Sequence, residues 1–396
     1  VTLPLRLIPP LKHNMAVPIA IAGSGQNLVA AGDAGIQVLE TLPIQSSQGS
    51  LFRDGKLDLN SFAAALAPAR RLHTDLQEAR DRIAATPTRF LLPTVANARA
   101  LSLQSLDEVL AQAKAAAAAT ELLPSMFGQG DSRTWVLGAE NNAELRGRGG
   151  YLGTFGLLTA QNGRLDLGDF RSVGSLPDLP TDPGELGAEP EYARQYLSLG
   201  GISAWPNLMM SPDFPTGARL LTSSLDDVAG IAADGVISVD PVALSYLLEV
   251  TGPIEIPDIP EPITADNVVE WTLNRLYFEY EDESDARREQ LSVIAKAVWE
   301  EIVAGADMDT GALVGALSKA AAERHLVLFS SRPQEQALFR SLELTGELTD
   351  SPGDYLLLVG QNIGESKMDY YLSRHITYSG RLAPDGTLTA SATIRI

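Results

Sequence analysis

The 396-residue chain has no cysteine, and that absence excludes disulfides, thiolate zinc sites and a cysteine nucleophile. Histidine is scarce as well. His13, His73, His325 and His375 are far apart and show no HExxH-like or paired spacing, so a histidine-based zinc site is not expected. No run of about 18 apolar residues marks a membrane span, and no signal-peptide pattern opens the chain as given. Positive charge is in short supply, with lysine rare beside arginine. The formal net charge of -20 and a pI near 4.6 argue against broad electrostatic binding to nucleic acid or an anionic bilayer, so an anionic ligand would need a local cluster of arginines. What is abundant is apolar: 45% hydrophobic residues against 20% charged fit a globular protein, and the length allows about two to three domains.

The densest polar stretch is Glu140 to Leu158, ENNAELRGRGGYLGTFGLL. Asn141, Asn142, Glu144, Arg146 and Arg148 are planar hydrogen-bonding groups, while Gly147, Gly149 and Gly150 allow close backbone approach or a turn at positive φ. WVLGA before it and YLGTFGLLT after it read as strands that would hold the loop rigidly. A polar ligand site at a strand end is therefore expected, with a purely structural turn as the alternative.

Periodicity divides the chain into a helical N-terminal region (1–130), an α/β core (131–350) and C-terminal β-strands (351–396). Steps of three and four put Phe62, Leu66, Ala69, Leu72, Leu76, Ala79 and Ile83 on one helical stripe that Pro68 should kink or restart, with Asp58 or Asn60 as cap. A second helix is expected from about Leu103 to Leu123, antiparallel to the first. Strands are expected over 134–139, 152–160 and 164–170, the last two joined at Asn162-Gly163. The Pro- and Gly-rich stretch 175–206 is too long for a plain link, and reads as a lid or a mobile excursion. SPDFP opens a helix to about Val228, a short strand follows at 234–239, and Asp240-Pro241 starts the next helix. Strand, capped helix, strand, capped helix is an α/β rhythm. Further helices are expected over 265–280 and 284–304, and strands over 325–330, 355–359, 370–378 and 387–396. In the last, Leu388, Ala390, Ala392, Ile394 and Ile396 alternate with polar residues as in a half-buried strand. Because the chain stops inside that pattern, a partner strand or domain is expected beyond Ile396.

The combination AENNAELRGRGGYLGTFGLLTAQNGRL, SPDFP, ADGVISVDPVALSYLLEVTGPI and ITADNV resembles a bacterial family known only as domain of unknown function 4012, over roughly Ser132 to Ala304. NIGESKMDYYLSR near the C-terminus resembles the same family's downstream region. Members usually carry an N-terminal membrane anchor, so the resemblance implies an extracytoplasmic chain whose anchor is not in this sequence, and the lack of cysteine suits that setting. The family is in turn similar to the LytR-CpsA-Psr proteins, which transfer glycopolymers from polyprenyl pyrophosphate carriers to the cell wall. That implies a central mixed sheet flanked by helices.

In those relatives a strand-end arginine motif and an Arg-rich helix start grip the pyrophosphate. The corresponding residues are Arg146 and Arg148, then Arg287, Arg288 and Gln290 in ARREQLSVIAKAV, and guanidinium groups suit phosphate oxygens bidentately. The alternative is that Arg287 and Arg288 balance the acids of EDESD just before them. The relatives also have an aspartate in the strand-end motif that helps hold magnesium. RGRGGYLG has no acid there, so magnesium, the cofactor the resemblance admits, would need Glu144, Asp169 or Asp213.

These three are the candidate catalytic carboxylates, as base, acid or metal ligand, with Asn141 and Asn142 orienting sugar or phosphate. Asp213 and, more strongly, Asp240 also read as helix caps. Tyr151, Phe155, Tyr192 and Trp205 would stack on sugars or fill the core. GSGQN and TSSLDD lack the GxSxG context of a serine nucleophile. The expected partner is a cell-wall glycan or its polyprenyl-linked precursor, not nucleic acid. The function implied is binding or phosphotransfer on that precursor; the alternatives are a non-enzymatic glycan-binding envelope protein or a glycoside hydrolase with paired carboxylates.

Overall fold

The computed structural model describes residues 9–42, 52–53, 55–280, 284–304, 308–348, 353–364 and 366–396. Helices α1 (Pro9–Gly23) and α2 (Gly25–Thr41) lead to two short strands, β1 (Phe52–Arg53) and β2 (Lys56–Leu57), and then to α3 (Leu59–Ala84) and α4 (Pro93–Met126). Asp58 caps α3, accepting from the Asn60 and Ser61 amides. The expected stripe is the buried face of α3: Phe62, Ala69, Leu76, Ala79 and Ile83 are buried, with Leu66 and Leu72 half-buried. Pro68 neither restarts nor ends the helix, which runs through it with the ring buried. Arg80 pairs with Asp107 at 2.9 Å and Arg70 with Glu121 at 2.9 Å, so α3 and α4 run antiparallel. α4 starts ten residues before the expected Leu103, at a Pro in the first turn, because its early turns are mostly exposed and show no apolar stripe.

The next strands are β3 (Arg133–Asn141), β4 (Tyr151–Gln161), β5 (Arg164–Leu167) and the two-residue β6 (Arg171–Ser172). The stretch expected to be a lid or a mobile excursion is neither. It carries α5 (Pro190–Tyr196) and sends Leu186, Tyr192, Ile202 and Trp205 into the main core, with the Tyr192 hydroxyl donating to the Gly201 and Asn207 carbonyls. α6 (Phe214–Ala229), β7 (Gly235–Val239) and α7 (Pro241–Thr251) follow. The region expected as one helix over 265–280 is α8 (Val268–Glu270) and α9 (Leu276–Glu279), joined by a π-helical turn at Trp271–Arg275. α10 (Ser284–Ala304), α11 (Thr310–Ala322), β8 (Leu326–Ser330) and α12 (Pro333–Ser341) complete the core.

The fold is the expected mixed sheet flanked by helices. Its strands run in the order β1-β2-β5-β4-β3-β7-β8, with β6 beside β4. β3 and β7 are parallel, in register from Trp135 opposite Gly235 to Ala139 opposite Val239, and the other pairings are antiparallel. Both faces are apolar. Val136, Val236, Val327 and Phe329 pack into the main core with α6, while Leu137, Ile237, Val239 and Leu328 point the other way. A separate core joins α7, α8, the π-helical turn, α10 and α11 through Leu248, Val268, Trp271, Ile294, Val298 and Leu313.

At the C-terminus β9 (His375–Leu382) and β10 (Leu388–Arg395) form a two-stranded antiparallel sheet. The alternating apolar residues of β10 are exposed rather than half-buried, and among the described residues no element covers a face of that two-stranded sheet. Residues 355–359, expected as a strand, carry no regular secondary structure, and Met368–Tyr371 is a 3₁₀ turn in place of the start of the next expected strand.

Candidate functional site

The second face of the sheet does not close on its helices. Between it and α10 lies a cavity of about 650 Å³, within the range of small-molecule sites. Leu137, Ile237, Val239 and Leu328 form one wall; Leu291, Ala295, Val298 and Ile302 of α10 form the other. From Arg287 to Ile302 the lining follows α10 for 16 residues, roughly 22 Å at the helical rise. The end beside Phe127, Leu158 and Leu165 is apolar, whereas polar groups gather at the end of β3.

That polar end is built by a bulge and a turn. The β3–β4 register slips between Ala139 and Glu140, with Gly153 the extra residue on β4, and beyond the slip Glu140 and Asn141 both border the cavity. Asn141 donates to the Tyr277 hydroxyl at 2.7 Å, and its own carbonyl oxygen accepts from the Ala143 amide. Glu144 is buried between two cations, Arg146 at 3.0 Å and Lys367 Nζ at 2.6 Å. Lys367 lies between two rings, 5.3 Å from Tyr151 and 5.4 Å from Tyr277, and the Arg287 guanidinium stacks on Tyr277 at 4.4 Å. Arg288 also lines this end. Asp240 caps α7 through the Val242 and Ala243 amides, while its other oxygen meets Asn142 at 2.9 Å and His325 Nδ1 at 2.7 Å.

The residues expected to act together separate into two groups. Asn141, Glu144, Arg287 and Arg288 line the cavity. Arg146 and Arg148 instead hold the loop itself. Arg148 is buried with Glu140, donating from Nε at 2.7 Å and pairing again through its terminal nitrogen, and it bonds the Arg324 carbonyl and Ser238. Arg146 ties Glu144 and Asn207 to the Asn362 carbonyl. Asn142 joins the Gly149 carbonyl to Asp240. Gly147 serves protein rather than ligand, because a Cβ there would lie 1.9 Å from the Met210 carbonyl.

Two of the three candidate carboxylates stand elsewhere. Asp213 caps α6, accepting from the Thr216 amide and hydroxyl, and also accepts from the Leu348 amide. Asp169 is exposed and pairs with Lys296 at 2.9 Å, a hydrogen bond and charge that hold its carboxyl below the usual range. Of the aromatic residues, Phe155, Tyr192 and Trp205 are core and Tyr151 lines the cavity. The acids Glu281, Asp282 and Glu283, and the Asp285 side chain, lie outside the described residues.

Sequence reading missed Lys367, Tyr277 and Glu140. Lys367 arrives on the C-terminal segment, whose Asn362 amide donates to the Leu145 carbonyl and whose Asp369 accepts from the Leu145 amide at 3.1 Å. Burial alone would raise the Asp369 carboxyl, but the Leu145 amide, Asn362 and Arg374 hold it below the ordinary range. The signal available was NIGESKMDYYLSR, a polar run just before β9. Among the described residues no three acidic or histidine side chains gather as a metal-binding group, and Glu144, which would have to serve, already accepts from two cations. The donor set at this end does not fit magnesium.

Residues 130–277 match the family described as protein of unknown function (DUF4012). The DUF4012 match thus begins with β3 and ends at Tyr277, taking in the polar loop, α6, β7 and α7 but not α10. Two solved structures are similar at a distance. Protein gbs0355 of Streptococcus agalactiae shares 14% identity at a TM-score of 0.37, covering 56% of this chain and 76% of that one. The transcriptional regulator yvhJ of Bacillus subtilis shares 12% at 0.28, covering 66% and 90%. No curated protein matches the chain.

Proposed function

We propose that this chain is a cell-envelope protein, acting outside the membrane, that binds a long-chain lipid carrying an anionic head, of the polyprenyl pyrophosphate type that bears glycan precursors. The observation that supports this reading is the cavity. It is long and apolar along α10 and ends at Arg287, Arg288 and Lys367. An apolar chain of that length gains about 0.8 kcal/mol per buried methylene, while the cationic end selects the head. A broadly acidic protein needs such a local cluster to hold an anion at all.

Binding is favoured over turnover by the state of the carboxylates. Glu140 accepts from Arg148 and Ser238, Glu144 from Arg146 and Lys367, and Asp240 from a helix end and Asn142, which leaves each engaged rather than poised as a base. A second reading, transfer of the head group to an acceptor hydroxyl, is supported by Glu144 alone, since it lines the cavity beside the cations.

Native mass spectrometry with a short-chain polyprenyl pyrophosphate tests both. The expected result is a one-to-one adduct with no release of the carrier, lost in Ala295→Trp, whose indole would occupy the space beside α10. Adduct formation that survives Ala295→Trp would sink the cavity reading, and carrier release on adding glycan acceptor would favour transfer.

A further inference from the structure

The misfit with magnesium has a counterpart in Lys367. Its ammonium is the second cation on a carboxylate that Arg146 already neutralises, because Glu144 receives Arg146 through Oε1 at 3.0 Å and Lys367 through Oε2 at 2.6 Å. Glu144 therefore does not need Lys367 to be charge-balanced. The lysine is held there by its neighbours: Gln361 donates to the Met210 carbonyl at 2.6 Å, Asn362 anchors to Leu145, and the Tyr371 hydroxyl donates to Asn274 at 2.7 Å. These ties come from both sides of Lys367 and reach three separate parts of the core.

Lys367 and Arg287 both lie against the ring of Tyr277, at 5.4 and 4.4 Å, although they come from segments about 80 residues apart in sequence. Two cations on one ring repel each other, and an anion bonded to both removes that repulsion. An ammonium with three rotatable donors can keep Glu144 and still give two to an incoming oxygen.

We infer that this end of the cavity neutralises a phosphate or pyrophosphate head with side-chain cations alone, Lys367 of the C-terminal segment supplying the charge that a divalent metal would otherwise bring. The inference rests on the lipid-binding reading above and deepens it. No bond is made or broken. The C-terminal segment is then part of the head-group site, and the DUF4012 match, which ends at Tyr277, supplies the site only in part.

Isothermal titration of the full chain with farnesyl pyrophosphate, in EDTA and in magnesium, tests this. Affinity is expected to be the same within about two-fold in the two buffers, to fall roughly ten-fold in Lys367→Met in both, and to return in Lys367→Arg. Lys367→Met leaves Glu144 with Arg146, so the fold is kept, and an unchanged melting midpoint checks that. Binding that is lost in EDTA, restored by magnesium and indifferent to Lys367→Met would overturn the inference while leaving the lipid-binding reading intact. Absence of binding in both buffers would overturn the lipid-binding reading, and this inference with it.

Discussion

Arg148 and Arg287 carry the same group and, by sequence, the same expected task, yet the structure uses them in opposite ways. Arg148 is buried in the turn after β3, its donors divided among Glu140, Ser238 and the Arg324 carbonyl. Arg287 begins α10 at the rim of the cavity, half-buried, with the Tyr280 carbonyl and the Tyr277 ring as its contacts among the described residues. A guanidinium whose donors are filled by protein can only position a site, whereas one resting on a ring face keeps donors for a ligand. What decides between the two is whether a buried carboxylate stands within reach, and Glu140 does.

The comparison breaks most sharply on stability. Arg148→Ala strands Glu140 in the interior without its partner, a change that costs about 3–5 kcal/mol. Arg287→Ala removes a half-buried side chain and should cost about 1 kcal/mol or less. Urea unfolding of the two variants measures both, and equal losses would mean that Arg287 is structural too. The second contrast is in binding: Arg287→Ala should weaken farnesyl pyrophosphate roughly ten-fold with the fold intact.

This contrast also marks how far the sequence could be read. The alternation that sets Val136 against Leu137 and Val236 against Ile237 was legible as strands, and the caps at Asp58 and Asp240 were legible as caps. The polar loop was legible as a cluster of hydrogen-bonding groups at a strand end, which is where it lies. Which of its arginines face inward was not, because that depends on the buried Glu140, whose pairing with Arg148 across the turn no local pattern announces. Lys367 was out of reach for a different reason. It contacts Glu144 across 223 residues, and single-sequence patterns carry no information about contacts at that separation. The excursion 175–206 read as a lid or a mobile segment because it is long and rich in proline and glycine, yet Tyr192 and Trp205 anchor it in the core while much of it stays exposed.

A smaller effect separates the C-terminal segment from the core. The Asp369 carboxyl is held below its ordinary value, so it binds a proton less readily folded than unfolded. Its contribution is therefore full above the unfolded pKa of about 3.9 and is lost as pH falls through the lower folded value. Protection of the Leu145 amide, which donates to Asp369, against hydrogen exchange, taken relative to the intrinsic rate at each pH, should hold at neutral pH and fall below about pH 4, before that of the β3–β4 amides does. Simultaneous loss of both would show that the segment and the sheet open as one unit. Asp369→Ala should remove the early step.

The smallest expected effect concerns Asp169, a carboxylate that the sequence offered as a candidate alongside Glu144 and Asp213. It is 89% exposed and pairs with a partly exposed lysine, so water and salt screen the interaction. Its lowered pKa reports that pair and nothing at the cavity, for Lys296 projects from α10 away from the lining positions Leu291, Ala295 and Val298. Asp169→Ala should leave both the unfolding midpoint and farnesyl pyrophosphate affinity unchanged. Should affinity fall with the midpoint constant, the acid would be acting on the ligand from outside the cavity, and the division between buried positioning groups and cavity-facing binding groups would have to include a third, solvent-side set.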